Sequence, residues 1–145
     1  MEDPVFNILI VEDNLSHLAL TKYALETNNV RASCQAVQDG QEALDYLFHT
    51  EKFQNEKEFP LPDMILLDLN LPRRDGREVL HILKEDEKLK VIPVVVVSTS
   101  DRLEDMTYAL DKGAVAYISK SIGFENFNER FSELEKYLFK IWSSR

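Results

Sequence analysis

Six residues of this 145-residue chain have types and positions that could do chemistry together: Glu12, Asp13, Asp68, Ser98, Thr99 and Lys120. Each stands at or just after the end of a short apolar run, and Asn70 lies two residues beyond Asp68. Three carboxylates in one crevice repel one another, so either some protonate or a cation joins them. Carboxylate oxygens, a main-chain carbonyl and waters suit magnesium (Mg2+), which keeps several waters and completes its shell with phosphate oxygen. Such a cluster can host an anionic phosphoryl group. The metal and the Lys120 ammonium neutralise its oxygens, a hydroxyl donates to another, and the Asp68 carboxylate attacks phosphorus as nucleophile. No separate base is required, because a carboxylate is already ionised near neutral pH.

Taken singly, each residue has a plainer explanation. A Glu-Asp pair after a strand is usually a solvated turn, and a lone Asp at a strand end can cap the next turn. Ser98 can satisfy local backbone, and Lys120 can be a surface charge. The combination points to chemistry only if the elements bring the strand ends together.

Those elements alternate. Phe6 to Val11 reads as a buried strand ending in the acidic turn Glu12-Asp13-Asn14. Leu15 to Thr27 carries Leu15, Leu18, Ala19, Tyr23 and Leu25 at helical spacing, and Asn28-Asn29 ends it. Val30, Ala32, Cys34 and Ala36 alternate with polar residues, as in a half-exposed strand. Asp39 is placed to cap a helix bearing Ala43, Leu44, Leu47 and Phe48. Polar residues from His49 to Pro62 read as an extended surface loop. Met64 to Leu67 is a strand ending at Asp68, and Gly76 leads into a helix with Val79, Leu80, Ile82 and Leu83. Val94 to Val97 is a strand ending at Ser98. Asp101 is placed to cap a helix whose core face is Leu103, Met106 and Leu110, stopped by Gly113. Ala116 to Ser119 ends at Lys120. A last helix, about 124–142, shows a core stripe of Phe124, Phe127, Phe131, Leu134, Leu138, Ile141 and Trp142.

Continuous apolar strands require a sheet covered on both faces, which parallel βαβ units with right-handed crossovers supply. The expected fold is α/β: a doubly wound five-stranded parallel sheet with five helices and a ligand site at the carboxyl ends of the strands. Residues 1–145 read as one domain. The formal net charge of −9 disfavours a nucleic-acid partner. No apolar run approaches the ~20 residues that cross a bilayer, and no secretory signal is visible, so the expected location is cytoplasmic, away from membranes. Cys34, the one cysteine, reads as a half-buried strand residue, and no Cys/His cluster suggests zinc.

At the strand ends the sequence resembles the receiver domains of two-component response regulators, which implies the flavodoxin-like strand order 2-1-3-4-5. The matching pieces are Ile10 to Asn14, Leu66 to Pro72, Asp75-Gly76, Pro93 to Ser98 and Tyr117 to Lys120, with 30 residues from Asp68 to Ser98 and 22 from Ser98 to Lys120. The resemblance implies Asp68 as phosphoacceptor. It implies Asp13, Asp68 and the main-chain carbonyl of Asn70 as direct magnesium ligands, with Glu12 acting through water. It makes Ser98 the switch hydroxyl, with Thr99 and Lys120 at the phosphate and Tyr117 as the coupled aromatic, and it places Asn70 and Ser100 where the phosphorylated lifetime is tuned. It implies a stoichiometric phosphoacceptor rather than an enzyme, without an output domain, loaded by a histidine kinase or a phosphotransfer protein. A homodimer through the face of helix 4, strand 5 and helix 5 is also implied. Tyr108, Tyr137 and Phe139 fall off the apolar stripes and are the candidate interface residues. The stretch Asp68 to Leu80, the long loop before the third strand, and Lys120-Ser121 are similar to single-domain regulators partnered with phytochrome-type histidine kinases.

Arg73, Arg74 and Arg77 form a basic cluster that reads either as a solvated loop or as a contact for the phosphodonor. Two departures stand out. Most receivers follow the lysine with proline, often cis. Here Ser121 follows, and a cis bond before serine costs ~3 kcal/mol, which leaves trans open. Thr99 stands where alanine or glycine is common, and its bulk can restrict access. Two other functions remain open from the residues: a receiver-fold binding module that does not use phosphate, and a magnesium-dependent phosphatase. The second requires an acid two residues after the nucleophile, where this chain has Asn70.

Overall fold

Valine, isoleucine and leucine fill the strands, and their side chains alternate between two faces. The computed structural model describes residues 5–144. In chain order the elements are β1 (Phe6–Val11), α1 (Leu15–Thr27), β2 (Ala32–Val37), α2 (Gly40–Leu47), β3 (Met64–Leu67), α3 (Gly76–Glu85), β4 (Val94–Ser98), α4 (Leu103–Asp111), β5 (Ala116–Ser119), α5 (Phe124–Arg130) and α6 (Leu134–Ser143). A 3-10 turn, Phe131–Glu133, joins α5 to α6, so the two form the interrupted fifth helix of the fold.

All strand pairs are parallel, in the order β2-β1-β3-β4-β5 that the resemblance implies. One face packs Leu9, Val11, Ile65, Leu67 and Val96 against Ala43, Val79, Leu80, Leu83 and Ala109. The other packs Ile8, Ile10, Leu66 and Val95 against Ala24, Leu25, Phe127, Phe131, Leu134 and Leu138. Cys34 lies half-buried on the edge strand, as expected. Among the described residues, no helix is long and apolar enough to cross a membrane.

Register decides what meets at the carboxyl rim. Val11 pairs with Leu67 and Ser98 with Ser119. The next residues, Glu12 and Asp68 on one side and Lys120 on the other, therefore leave the sheet at nearly one level. Short polar side chains then start the helices at the same rim. Asn14 accepts from the His17 amide at 3.1 Å, Asp39 from the Glu42 amide at 2.7 Å, and Asp75 from the Arg77 amide at 2.8 Å.

Five expectations give way. Helix α1 buries Thr21, Ala24 and Leu25, whereas Leu15 and Tyr23 are exposed. Helix α4 turns Asp105 and Ala109 inward and leaves Leu103 77% and Leu110 50% exposed. A polar anchor, described below, outweighs those leucines. Arg102, with no side-chain bond, stands at the N-cap instead of Asp101. In the last helix the buried stripe runs only from Phe127 to Leu138, while Phe124 and Trp142 are exposed. The stripe crosses the 3-10 turn intact, and the two exposed residues lie in the terminal turns of the α5–α6 segment, at its ends. The segment from His49 to Pro62 is also no extended loop. It turns through a 3-10 helix, Glu51–Phe53, and folds Phe53 and Phe59 onto Tyr46, with ring centroids 4.9–5.8 Å apart. The Tyr46 hydroxyl donates to the Pro60 carbonyl at 2.9 Å.

The aromatic residues expected at an interface divide. Tyr108 is half-buried and donates to the Arg77 carbonyl at 3.3 Å; Tyr137 is half-buried and donates to the Val115 carbonyl at 3.2 Å. Both hydroxyls are committed within the fold. Phe139 is exposed and stands edge-on to Trp142, 6.4 Å between centroids.

Candidate functional site: an acidic rim closed by one lysine

The site begins where β1 and β3 stop pairing. The Asp68 amide donates to the Val11 carbonyl at 3.1 Å, the last rung between those strands, and fixes the residue beside Glu12. The chain then turns sharply into α3. The Gly76 amide donates to the Leu69 carbonyl at 2.8 Å, and a Cβ at Gly76 would lie 2.1 Å from the Asp68 carbonyl oxygen. Only glycine permits that approach, which explains the Asp75-Gly76 pair.

Glu12 and Asp68 are buried, and Asp13 is exposed at the same edge. One carboxylate oxygen from each of the three lies within 4.8 Å of the others. Asp68 Oδ1 accepts from the Asn70 amide at 3.1 Å, and Glu12 Oε2 accepts from the Asn14 amide at 3.2 Å. Lys120 enters from the far side. Its amide donates to the Ser98 carbonyl at 2.7 Å, which fixes the loop after β5 against β4. Its ammonium donates to Glu12 Oε1, to Asp68 Oδ2 at 3.1 Å, and to His17 Nδ1 at 3.2 Å. Burial, reinforced by the nearby Asp68 charge, pushes Glu12 up to about 7 against the pull of Lys120.

The hydroxyl side is a separate network. Ser98 is fully buried, and its Oγ accepts from the Ser100 amide at 3.2 Å. Ser100 Oγ donates to Asp105 Oδ2 at 2.5 Å. Asp105 Oδ1 also accepts from Arg77 Nη2 at 2.8 Å and Nε at 3.1 Å. Tyr117 is buried, and its hydroxyl donates to the Ser100 carbonyl at 2.8 Å. Thr99 is exposed, and its carbonyl accepts from Ser121 Oγ at 3.1 Å. No cis peptide bond occurs among the described residues, so Lys120–Ser121 is trans.

Glu12, Asp13, Asp68 and Lys120 thus meet in one cluster, with Ser98 and Thr99 on the neighbouring strand end and Asn70 bonded to Asp68 through its amide. The basic trio is spoken for. Arg73 pairs with Asp39 at 2.9 Å, Arg74 with Glu78 at 2.8 Å, and Arg77 with Asp105 and Asp75. Two residues of the site were not anticipated. His17 sits three residues after the Asn14 cap, so the first turn of α1 carries it over the rim; that spacing was the available signal. Asp105 stands four residues before Ala109, and a charged residue on a buried helical face leaves little trace in a hydrophobic pattern.

Residues 8–132 match the response regulator receiver domain. The chain belongs to the response-regulator receiver family. This receiver chain is 39% identical to the probable methanogenesis regulatory protein FilR2 of Methanothrix harundinacea, covering 94% of this chain and 84% of that one. It is similar in structure to the phosphorylated cyanobacterial phytochrome response regulator RcpA, with a TM-score of 0.82 and 38% identity over 94% of this chain and 95% of that one. It is also similar to the Mn2+-bound response regulator Rcp1, a protein of Synechocystis, with a TM-score of 0.81 and 34% identity over 90% of this chain and 92% of that one. The receiver site here fits a divalent cation on its own chemistry. Its donors are hard oxygens, and three carboxylates face one ammonium, an excess of two negative charges.

Proposed function

We propose that the protein is a phosphorylatable switch that takes a phosphoryl group from a histidine kinase or a phosphotransfer protein onto Asp68. The observation that carries this reading is the buried Asp68 carboxylate held between an acid pair and the Lys120 ammonium. Asp13, Asp68 and the Asn70 carbonyl would hold magnesium, with Glu12 acting through water. Bound there, the ion supplies positive charge to the phosphoryl oxygens.

The chain's own residues do the rest. An Asp68 oxygen attacks phosphorus, the new O–P bond forms, and the donor's P–N bond breaks with its electrons leaving on the donor. Lys120 gives up a carboxylate and balances a phosphoryl oxygen. Ser98 exchanges the Ser100 amide for the phosphoryl group, and Tyr117 follows as the Ser100 loop moves. Thr99 sets how closely donor or water approaches, and Asn70 and Ser100 set how long the phosphorylated form lasts. Each molecule takes one phosphoryl group per cycle, as a stoichiometric acceptor and not an enzyme. The output is a change on the α4–β5–α5 face, where Leu103 and Leu110 of α4 expose apolar surface for a second copy of the chain. Phe139 lies on the other flank of the last helix, in a pocket with Phe6, Asn29, Val30 and Arg31. Likeness to RcpA supports a phytochrome-type kinase as donor, and a cytoplasmic setting follows from such a partner.

Magnesium-dependent labelling from acetyl phosphate tests the site. Wild type takes the label, Asp68→Asn folds and takes none, and scattering with magnesium and beryllofluoride shows a rise in mass. Label retained in Asp68→Asn removes the assignment.

A further inference from the structure

Lys120 has three N–H donors and three partners, and the third is His17, a residue with no part in the chemistry above. An ammonium has no lone pair, so in this contact His17 Nδ1 is the acceptor and the ring proton lies on Nε2. The imidazole is held to face the ammonium from two directions. Its backbone amide is pinned by Asn14 at 3.1 Å in the first turn of α1. Its ring and Lys120 line one pocket of about 130 Å³ with Leu20, Phe124 and Phe127.

The three partners of Lys120 differ in what happens when a phosphoryl group arrives. Glu12 turns toward the cation, and Asp68 becomes esterified as Lys120 takes up a phosphoryl oxygen. His17 is neutral in this contact and takes no part in either event. We propose that His17 is a positioning residue for Lys120: a fixed neutral acceptor that keeps the ammonium at the rim while its two carboxylate partners change. Without it, Lys120 keeps only ligands that leave it during the reaction. This role rests on Asp68 being the phosphoacceptor.

Two measurements on the full chain test it. The first is the nitrogen spectrum of the His17 ring. It shows an Nε2–H tautomer with a hydrogen-bonded Nδ1 in wild type, and that Nδ1 signal moves in Lys120→Met. The second is the rate of labelling from acetyl phosphate at saturating magnesium. His17→Ala slows it about tenfold, the scale of one hydrogen bond to a charged group, with magnesium affinity unchanged. His17→Asn, whose Oδ1 takes the place of Nδ1 as acceptor, restores the rate to within about twofold. A His17 ring indifferent to Lys120→Met overturns the proposal. So does a His17→Ala rate equal to wild type, or a His17→Asn rate as slow as His17→Ala, which would leave the ring a packing role. Wild type that takes no label while its His17 ring still answers to Lys120→Met sinks the phosphoacceptor assignment and the role of His17 with it, but not the contact.

Discussion

Two buried acids stand at the same end of the sheet and live in opposite electrostatic conditions. Glu12 has one ammonium to share with Asp68, and burial pushes it up to about 7. Asp105 has a hydroxyl from Ser100 and the fork of Arg77, and these hold it below the usual carboxylate range. Asp105 has every interaction a carboxylate needs, so it works as an anchor that ties α4 to α3 and to the Ser100 loop. Glu12 and Asp68 are left short of positive charge. A protein that needed only stability would gain by replacing such a cluster with apolar side chains. The contrast separates a rim held in deficit, ready for a cation, from a network that closes on itself.

Removing the Lys120 ammonium from the rim has the largest expected effect. Lys120→Met deprives the incoming phosphoryl oxygens of their protein cation, and labelling from acetyl phosphate falls about a hundredfold, the scale seen when one preorganised charge-stabilising donor is lost. The same change takes a competing cation away from Glu12 and Asp68. Magnesium affinity, read by titration calorimetry, is therefore expected to hold or rise. A fall in both would mean that Lys120 builds the rim as well as serving it, and the two sides would be less distinct than drawn here.

The anchor is expected to respond in stability. Asp105→Asn keeps an acceptor for Ser100 but removes the charge opposite Arg77, which retains Asp75 as a partner. The cost is about 1–2 kcal/mol in urea unfolding, with magnesium affinity unchanged. A pH series sharpens the test. The folded-state value of Asp105 is lowered, so its contribution is present above the unfolded carboxylate value of about 4 and is lost as pH falls through the folded one. Wild type should lose stability over that acid range more steeply than Asp105→Asn. Parallel curves would deny Asp105 its anchoring role.

Residues that obey strand periodicity were legible in the sequence, and residues held by side-chain bonding were not. Continuous apolar runs gave the sheet and its rim, because a buried parallel strand leaves little freedom in composition; the strand order came with the family resemblance. Asp13, Asp68 and Lys120 were legible for the same reason: each stands within two residues of the end of such a run. Helix faces fared worse. Leu103 and Leu110 looked like core on α4, yet a single hydrogen-bonded acid sets that helix's rotation. Tyr108 and Tyr137 looked like free surface, yet each hydroxyl found a carbonyl on a neighbouring segment. Phe53 and Phe59 were lost among charged residues because the aromatic cluster they join with Tyr46 spans a loop without periodicity. Contacts of that kind depend on where the chain passes next, which no local pattern contains.

Tyr117 joins the two sides, since it lies on β5 three residues before Lys120 and its hydroxyl reaches into the Ser100 loop. Tyr117→Phe keeps the buried ring and leaves the Ser100 carbonyl without that donor. The expected loss is about 1 kcal/mol of stability, the ordinary worth of one such bond. It should not be additive with Asp105→Asn, because both changes loosen the same Ser100 loop, and neighbours in one network couple. A double mutant that costs the full sum would show that Tyr117 and Asp105 hold that loop independently. A coupling of about 0.5 kcal/mol or more would place both in one latch, through which movement of Ser98 must pass to reach α4.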